Sequence, residues 1–339
     1  MFPVLFETPQ VPAWVLALLV ALLGGVFLFL GRRDREDKGS LWLGIACLAG
    51  AGVLVLWMGA TAQAGPWPIR VFGILVVAGF LVGTKVMSWR NRARGLLTGE
   101  ETFDLAFYML LAGLCGARLN WVIQNSRDFE GQPLKVLAIW DGGLVWYGGA
   151  VAGTFFAWWW LAKRGKDVWA VSDSMALGVP LAHAIGRLGC FAAGCDYGKV
   201  IPGGRDSIPW AVHFPNPALG RADFCLVPPP FRYDAENDLD VYIHPVQLYL
   251  VLANLLTFLL LLWIDRKVTR GAFAGRLAAL YLVLYALARF AIEYWRGDAD
   301  RGLYFGGALS FSQVVSILVV AAGILLYRAL RSRHPAPAA

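Results

Sequence analysis

Three arginines stand inside long apolar stretches: Arg118 in "ETFDLAFYMLLAGLCGARLNW", Arg187 in "VSDSMALGVPLAHAIGRLGCF" and Arg289 in "RLAALYLVLYALARFAIEYWR". An ionisable group in such a setting is expensive unless paired or hydrated, so each marks either a functional site or a structural ion pair. Spacing speaks for the first. Tyr285, Arg289, Glu293 and Arg296 follow at intervals of four, four and three and share one helical face. Arg289 and Glu293 can neutralise one another, which leaves Arg296 for an anionic group. Asp173, Pro180, Arg187 and Gly194 recur every seven residues, with His183 a turn before Arg187 and Cys190 a turn after it. Asp104, Tyr108, Cys115 and Arg118 form a third stripe. Three inward stripes would bring three arginines to one cavity. A guanidinium grips phosphate oxygens bidentately and stays charged, and apolar walls around it make a phospholipid the natural ligand. An ion pathway would need fewer arginines and more acids.

Three further segments carry polar reach. "WDGGLVWYGG" places Gly142 and Gly143 where a tight turn and close backbone approach are allowed. Its Tyr147 serves either as an aromatic anchor at a helix entry or as a hydrogen-bond donor or base. "IHPVQLYL" puts Pro245 at a first helical turn, flanked by His244, Gln247 and Tyr249. "GRLGCFAAGCDYG" ends an apolar stretch with Cys190, Cys195, Asp196 and Gly198. Two cysteines five apart, with no third or fourth ligand nearby in sequence, are a weak metal signal, so no metal is expected. No nucleotide-binding fingerprint occurs and no cofactor is implied.

The elements that must position these groups are membrane spans. Apolar residues make up 58% of the chain and charged ones 16%, and mean hydropathy is +0.58. Apolar runs near the length of a spanning helix place nine spans at about 11–30, 41–60, 69–88, 102–123, 143–163, 171–192, 243–264, 274–295 and 308–328. The net charge of +7 comes largely from Lys and Arg in alternate short loops, the positive-inside pattern. It indicates a membrane topology and no nucleic-acid partner. The N-terminus is expected outside, its first helix retained for want of a basic leader, and the C-terminus inside. The all-α polytopic architecture then divides into an N-terminal hairpin (1–62), a membrane core (63–332) with an outer cap at 196–243, and a cytoplasmic tail (333–339). "NSRDFEGQPLKVLAIWDGG" is expected as a second outer element, an amphipathic arm lying on the surface. Cys190, Cys195 and Cys225 fall near the same outer face, so a disulfide there is open.

Taken in order, "GPWPIRVFG" (65–73), "GARLNWV" (116–122), "WDGGLVWYGGAVAG" (140–153), "GRLGCFAAGCDYGKV" (186–200), "HPVQLY" (244–249) and "YALARFAIEYWRGD" (285–298) resemble the prolipoprotein diacylglyceryl transferase family. The resemblance covers about residues 65–332. It implies a seven-helix core, spans three to nine, in the bacterial inner membrane. It also implies transfer of a diacylglyceryl group from phosphatidylglycerol to the lipobox cysteine thiol of an exported prolipoprotein, with a thioether formed and glycerol phosphate released. Membrane lipids and the lipobox peptide are the implied partners.

By this resemblance Arg187 and Arg289 fall on functional arginines, and Arg118, Tyr285, Glu293 and Gly198 match family positions. Departures accompany them. Tyr147 stands where the family usually has histidine, Cys190 where it has asparagine, and Cys195, followed by Asp196, where it has glutamate. Phe72 replaces a tyrosine and Leu250 an acid. The arginine framework is kept while the proton-handling groups are exchanged. One expectation is a transferase in which Arg187 and Arg289 act with Tyr147 or Asp196. These two are then the groups that help deprotonate a thiol whose ordinary pKa is about 8.5. Arg118, Tyr285, Glu293, Arg296, Gly142, Gly143, Gly198, His244, Gln247, Cys190 and Cys195 would line the substrates. The alternative is a lipid-binding paralogue with another acceptor or an accessory role, in which Cys190 and Cys195 form a disulfide, carry an adduct or hold a metal. The intact phosphate-binding half favours the transferase.

Overall fold

The structure, a computed structural model, describes residues 4–7, 11–12, 63–64, 68–129, 131–138, 142–213, 233–234, 239–268, 272–297, 302–304 and 308–333. The chain divides at residue 71 into two compact units. In the N-terminal one, Val4–Glu7 pairs antiparallel with Pro68–Arg70, and Val11–Pro12 with Gln63–Ala64. Apart from Val11–Pro12, the two N-terminal spans expected at 11–30 and 41–60 lie outside the described residues.

Seven long helices follow: α1 (Val71–Ala93), α2 (Gly99–Gln124), α3 (Trp146–Lys163), α4 (Val168–Ala193), α5 (Val246–Lys267), α6 (Arg276–Ile292) and α7 (Phe311–Ser332). Six of them, all but α3, are long and apolar enough to cross a membrane. Each lies within a few residues of an expected span, and local chemistry sets its ends. The α2 helix begins at a capping box in which Thr98 Oγ1 accepts from the Glu101 amide at 3.1 Å and Glu101 Oε2 accepts from the Thr98 amide at 2.8 Å. The Asp167 carboxylate caps α4 by accepting from the amides of Trp169 and Ala170, both at 3.0 Å. Basic residues occupy the last turns of α1, α3, α5 and α7.

Small residues let the helices close on one another. A Cβ on Gly178 of α4 would stand 2.6 Å from the Gly83 carbonyl oxygen of α1, and one on Gly149 of α3 would stand 3.0 Å from that of Gly113 in α2. Leu105, Leu161 and Val171 form the buried centre between α2, α3 and α4. Leu177, Leu261 and Leu277 do so between α4, α5 and α6.

The end of the bundle where α1 finishes is tied by charge. Arg90 meets Asp265 with two bonds of 3.1 and 3.0 Å and also reaches the Ala170 carbonyl and Ser174 Oγ, both at 3.1 Å. Asp173 accepts from the amides of Gly275 and Ala278 at 3.0 Å and so caps α6 from a neighbouring helix. The seven-residue stripe of α4 therefore begins in a structural network and not in the arginine cavity.

At the opposite end, residues 197–201 run between two other segments. Lys199 donates its amide to the Trp295 carbonyl (2.8 Å), and the His244 amide donates to the Lys199 carbonyl (3.0 Å). Within the expected cap, Gly204–Ser207 makes one helical turn, Val212–His213 pairs with Tyr242–Ile243, and Tyr233–Asp234 with Leu239–Asp240.

Candidate active site

The site is built where α4 and α6 end. One turn of spacing brings His183, Arg187 and Cys190 together on α4. Arg187 Nε donates to His183 Nε2 at 3.0 Å, and Nη1 approaches Cys190 Sγ at 3.8 Å. The same Nη1 bonds Asp196 Oδ2, and Arg296 Nη2 bonds Asp196 Oδ1 at 2.7 Å. One carboxylate thus bridges two guanidinium groups, one on α4 and one just past α6.

On α6, Arg289 pairs with Glu293 through Nη1 and reaches Ser312 Oγ with Nη2 at 3.0 Å. Glu293 is buried and also accepts from Ser310 Oγ at 2.8 Å. The expected neutralisation of Arg289 by Glu293 is present. Arg296, expected to be left for an anion, is instead held by Asp196. Tyr285 stacks on Tyr281 and lies tilted against His183, with ring centroids 5.8 and 5.5 Å away. Arg187, Arg289, Arg296 and Tyr147 all lie within electrostatic reach of its hydroxyl. Tyr147 itself packs edge-on against Phe311, 5.2 Å between centroids.

Asp196 is the only non-glycine residue among those described with a positive φ, 56°. Its carboxyl feels opposing effects. Burial raises its pKa, but Arg187 and Arg296 outweigh burial and hold it below the usual carboxylate range. It is therefore an anion, and a weak base.

The α2 stripe is placed differently from its expectation. Asp104, Tyr108 and Cys115 are exposed and only Arg118 is buried. The Arg118 guanidinium is spent on backbone: it donates to the carbonyls of Val136 (2.8 Å), Lys135 (2.7 Å), Gly142 (2.7 Å) and Gly143 (3.2 Å). Gly142 and Gly143 adopt φ of 84° and 71°, the left-handed region that favours glycine. A Cβ on Gly143 would stand 2.8 Å from Arg118 Nη1. These three residues form a loop clamp at the entry of α3.

Gly198 packs so closely on His244 that a Cβ would stand 2.7 Å from the His244 Cβ. His244 Nδ1 lies 3.1 Å from the Tyr249 hydroxyl, which also accepts from Trp210 Nε1 at 3.0 Å. Burial, then Lys199, lowers the His244 pKa, so its ring is neutral at pH 7. Gln247 is fully buried and donates Nε2 to the Cys195 carbonyl at 2.7 Å. Cys190 and Cys195 are both free thiols, and with Asp196 their ligand atoms lie within 4.8 Å of one another. Cys225 lies outside the described residues. Phe72 covers Gly189, one residue before Cys190, where a Cβ would stand 3.2 Å from its ring. Sequence reasoning missed Ser310 and Ser312, which hold Glu293 and Arg289. The readable signal was the capping box of Ser310 and Gln313 at the start of α7.

Six helices long and apolar enough to cross a membrane define a multi-pass membrane protein, with three arginines and two carboxylates gathered at one end of the bundle. A family model described as prolipoprotein diacylglyceryl transferase matches residues 60–329, and the chain belongs to that family. Several relatives are each named phosphatidylglycerol–prolipoprotein diacylglyceryl transferase. That of Corynebacterium diphtheriae is 31% identical over 270 residues, 79% of this chain and 90% of the relative. That of Burkholderia ambifaria is 31% identical over 293 residues, 81% of this chain and 95% of the relative. That of Vibrio parahaemolyticus is 30% identical over 267 residues, covering 77% and 86%.

Proposed function

We propose that this chain transfers the diacylglyceryl group of phosphatidylglycerol to the lipobox cysteine thiol of a prolipoprotein. The observation that carries the reading is the sharing of one Asp196 carboxylate by Arg187 and Arg296. Two guanidinium groups that converge on one oxyanion suit the phosphate of a lipid headgroup equally well. Family membership and the names of the relatives point to the same substrates.

In this reaction the thiol sulfur attacks the glycerol carbon of the diacylglyceryl group. The carbon–oxygen bond to phosphate breaks, a thioether forms, and glycerol phosphate departs with the negative charge. Arg187 and Arg289 stand where that charge develops, and fixed charges in a water-poor site lower the barrier most. Asp196, committed to two arginines, holds them in place until the phosphate arrives. It is a poor acceptor for the thiol proton, which leaves Tyr147 for that task. His183 accepts a hydrogen bond from Arg187 at Nε2, so that nitrogen has no lone pair to offer.

The finer architecture belongs to the same proposal. α1 to α7 make a seven-helix core, α3 included, in the bacterial inner membrane. The basic helix ends face the cytoplasm and residues 196–243 form a periplasmic cap. Residues 1–62 add a hairpin with the N-terminus outside, and residues 333–339 are a cytoplasmic tail. Complementation of a strain depleted of its own transferase tests the reading, scored by lipidation of a lipobox-bearing reporter. Rescue is expected. Good membrane expression without rescue, with phosphatidylglycerol co-purifying, would instead establish the lipid-binding paralogue.

A further inference from the structure

The α4 helix ends on two thiols that face each other. Gly194, at φ 73°, closes the helix. Its amide donates to the Phe191 carbonyl at 3.3 Å, and the Cys195 amide donates to the Cys190 carbonyl at 3.1 Å. This helix-ending motif brings the side chains of the fourth-last residue and of the second residue past the helix into contact, ordinarily as an apolar pair. Here both are cysteines. Cys195 Sγ donates to the Cys190 carbonyl at 3.6 Å, and the fully buried Gln247 anchors the Cys195 carbonyl.

The next residue is Asp196, whose left-handed backbone is a conformation that a side chain adopts at some cost. What holds it there is the grip of Arg187 and Arg296 on its carboxylate. Those guanidinium groups are the ones a lipid phosphate must take. Asp196 is thus a resident occupant of the phosphate position, and the segment 194–196 must swing for a phosphate to replace it. That segment is tethered at Cys195.

We propose that Cys190 and Cys195 are a dithiol–disulfide pair that latches Asp196 in the arginine site. Reduced, the pair lets the segment swing and phosphate enter; oxidised, it pins Cys195 to α4 and keeps Asp196 on Arg187. The effect on turnover rests on the transferase reading above, whereas the disulfide itself does not. A cation is the competing ligand for two thiols and a carboxylate. Arg187 lies 3.8 Å from Cys190 Sγ, and Asp196 is already shared by two guanidinium groups. That much positive charge disfavours a metal and favours sulfur chemistry.

The oxidant by class is a small-molecule disulfide. The Cys190 sulfur attacks one sulfur of it, with Arg187 beside the attacking charge. One small thiol leaves, taking the proton that Cys190 gave up. The Cys195 sulfur then attacks Cys190 in the mixed disulfide, and the second small thiol leaves with the Cys195 proton. Two cysteines are oxidised and one small disulfide is reduced to two thiols.

The test uses the full chain in detergent, equilibrated with oxidised or reduced glutathione and then alkylated, digested and mapped by mass spectrometry. Diacylglyceryl transfer from phosphatidylglycerol to a lipobox peptide is measured alongside. A Cys190–Cys195 crosslink is expected, with transfer lowered by about tenfold, within the usual range of coupling between sites, and restored by dithiothreitol. In C190S/C195S, whatever its own reduced rate, transfer is expected to be the same before and after glutathione disulfide. Both thiols staying alkylatable under oxidised glutathione overturns the proposal. So does a crosslink from either of them to Cys225, zinc that protects them from alkylation, or a crosslink that leaves transfer unchanged. Absence of transfer in the reduced chain would count against the transferase reading, and the crosslink map would still decide the dithiol.

Discussion

Two clusters of three arginines and two aspartates or glutamates stand at opposite ends of the same bundle, and they use their charges differently. Where α1 ends, Arg90, Arg94 and Arg276 meet Asp173 and Asp265. Arg90 holds Asp265 with two bonds, Arg276 is spent on the carbonyls of Val268 and Ile264, and Asp173 caps a helix. Where α4 and α6 end, Arg187, Arg289 and Arg296 meet Asp196 and Glu293. There Arg187 holds its carboxylate through a single nitrogen, and its Nη2 has no partner among the described residues. Charge count does not separate a structural clasp from a binding site. What separates them is whether the donors are used up, and whether the acceptor can leave.

The largest expected effect falls on the clasp. Asp265→Ala takes from the buried Arg90 guanidinium its two-bond partner and leaves it, as a charged partner, only Asp173 at 3.9 Å, a loss of about 3–5 kcal/mol of stability. Thermal unfolding in detergent should show it, while transfer per folded molecule stays near wild type. A variant equally stable but inactive would reverse the roles of the two ends. Next comes Arg187→Ala. Loss of one fixed charge at a developing oxyanion lowers turnover by about 10²–10³-fold, and the melting temperature should move less than in Asp265→Ala because Arg296 still holds the Asp196 carboxylate. A large drop in melting temperature with turnover retained would make Arg187 another clasp.

These differences explain what could be read in the sequence. Helix positions were legible because lipid forces long apolar runs, and six of the described helices meet that criterion. The α3 helix was legible as well, although its paired glycines and its tryptophans keep it below that criterion. The face shared by His183, Arg187 and Cys190 was legible because one helical turn fixes it. The use of Arg118 was not. Periodicity put it on a stripe with Asp104, Tyr108 and Cys115, but the four carbonyls that consume it come from a loop folded back on α2, and no local spacing encodes that return. The bridging role of Asp196 was hidden for the same reason, since Arg296 lies 100 residues away in the chain.

Smaller effects sharpen the contrast at the end where α4 and α6 finish. In Gly198→Ala the new methyl would stand 2.7 Å from the His244 Cβ and 2.9 Å from its carbonyl carbon. Overpacking of this kind costs about 1–3 kcal/mol. The segment that carries Asp196 would shift with it, so the variant should both melt earlier and require more phosphatidylglycerol for half-maximal rate. Lowered stability with unchanged lipid dependence would detach residues 197–201 from the site.

The smallest effect is that of pH on Asp196. Its folded pKa is lowered by the two arginines, so the sign of the linkage is that of a paired carboxylate. The ion pairs are fully formed above the unfolded pKa of about 3.9 and are lost as pH falls through the still lower folded value. Phosphatidylglycerol binding should therefore be flat from about pH 5 to pH 8 with respect to this group, and Asp196→Asn should leave the shape of that profile unchanged while altering its height. The physical reason is that protonation of Asp196 is too costly beside two guanidinium groups, so only another anion displaces it. An acid limb near pH 5 to 6 that disappears in Asp196→Asn would show that a proton can open the site. The Arg187–Asp196–Arg296 cluster would then switch by charge neutralisation and not, as its geometry favours, by exchange of one anion for another.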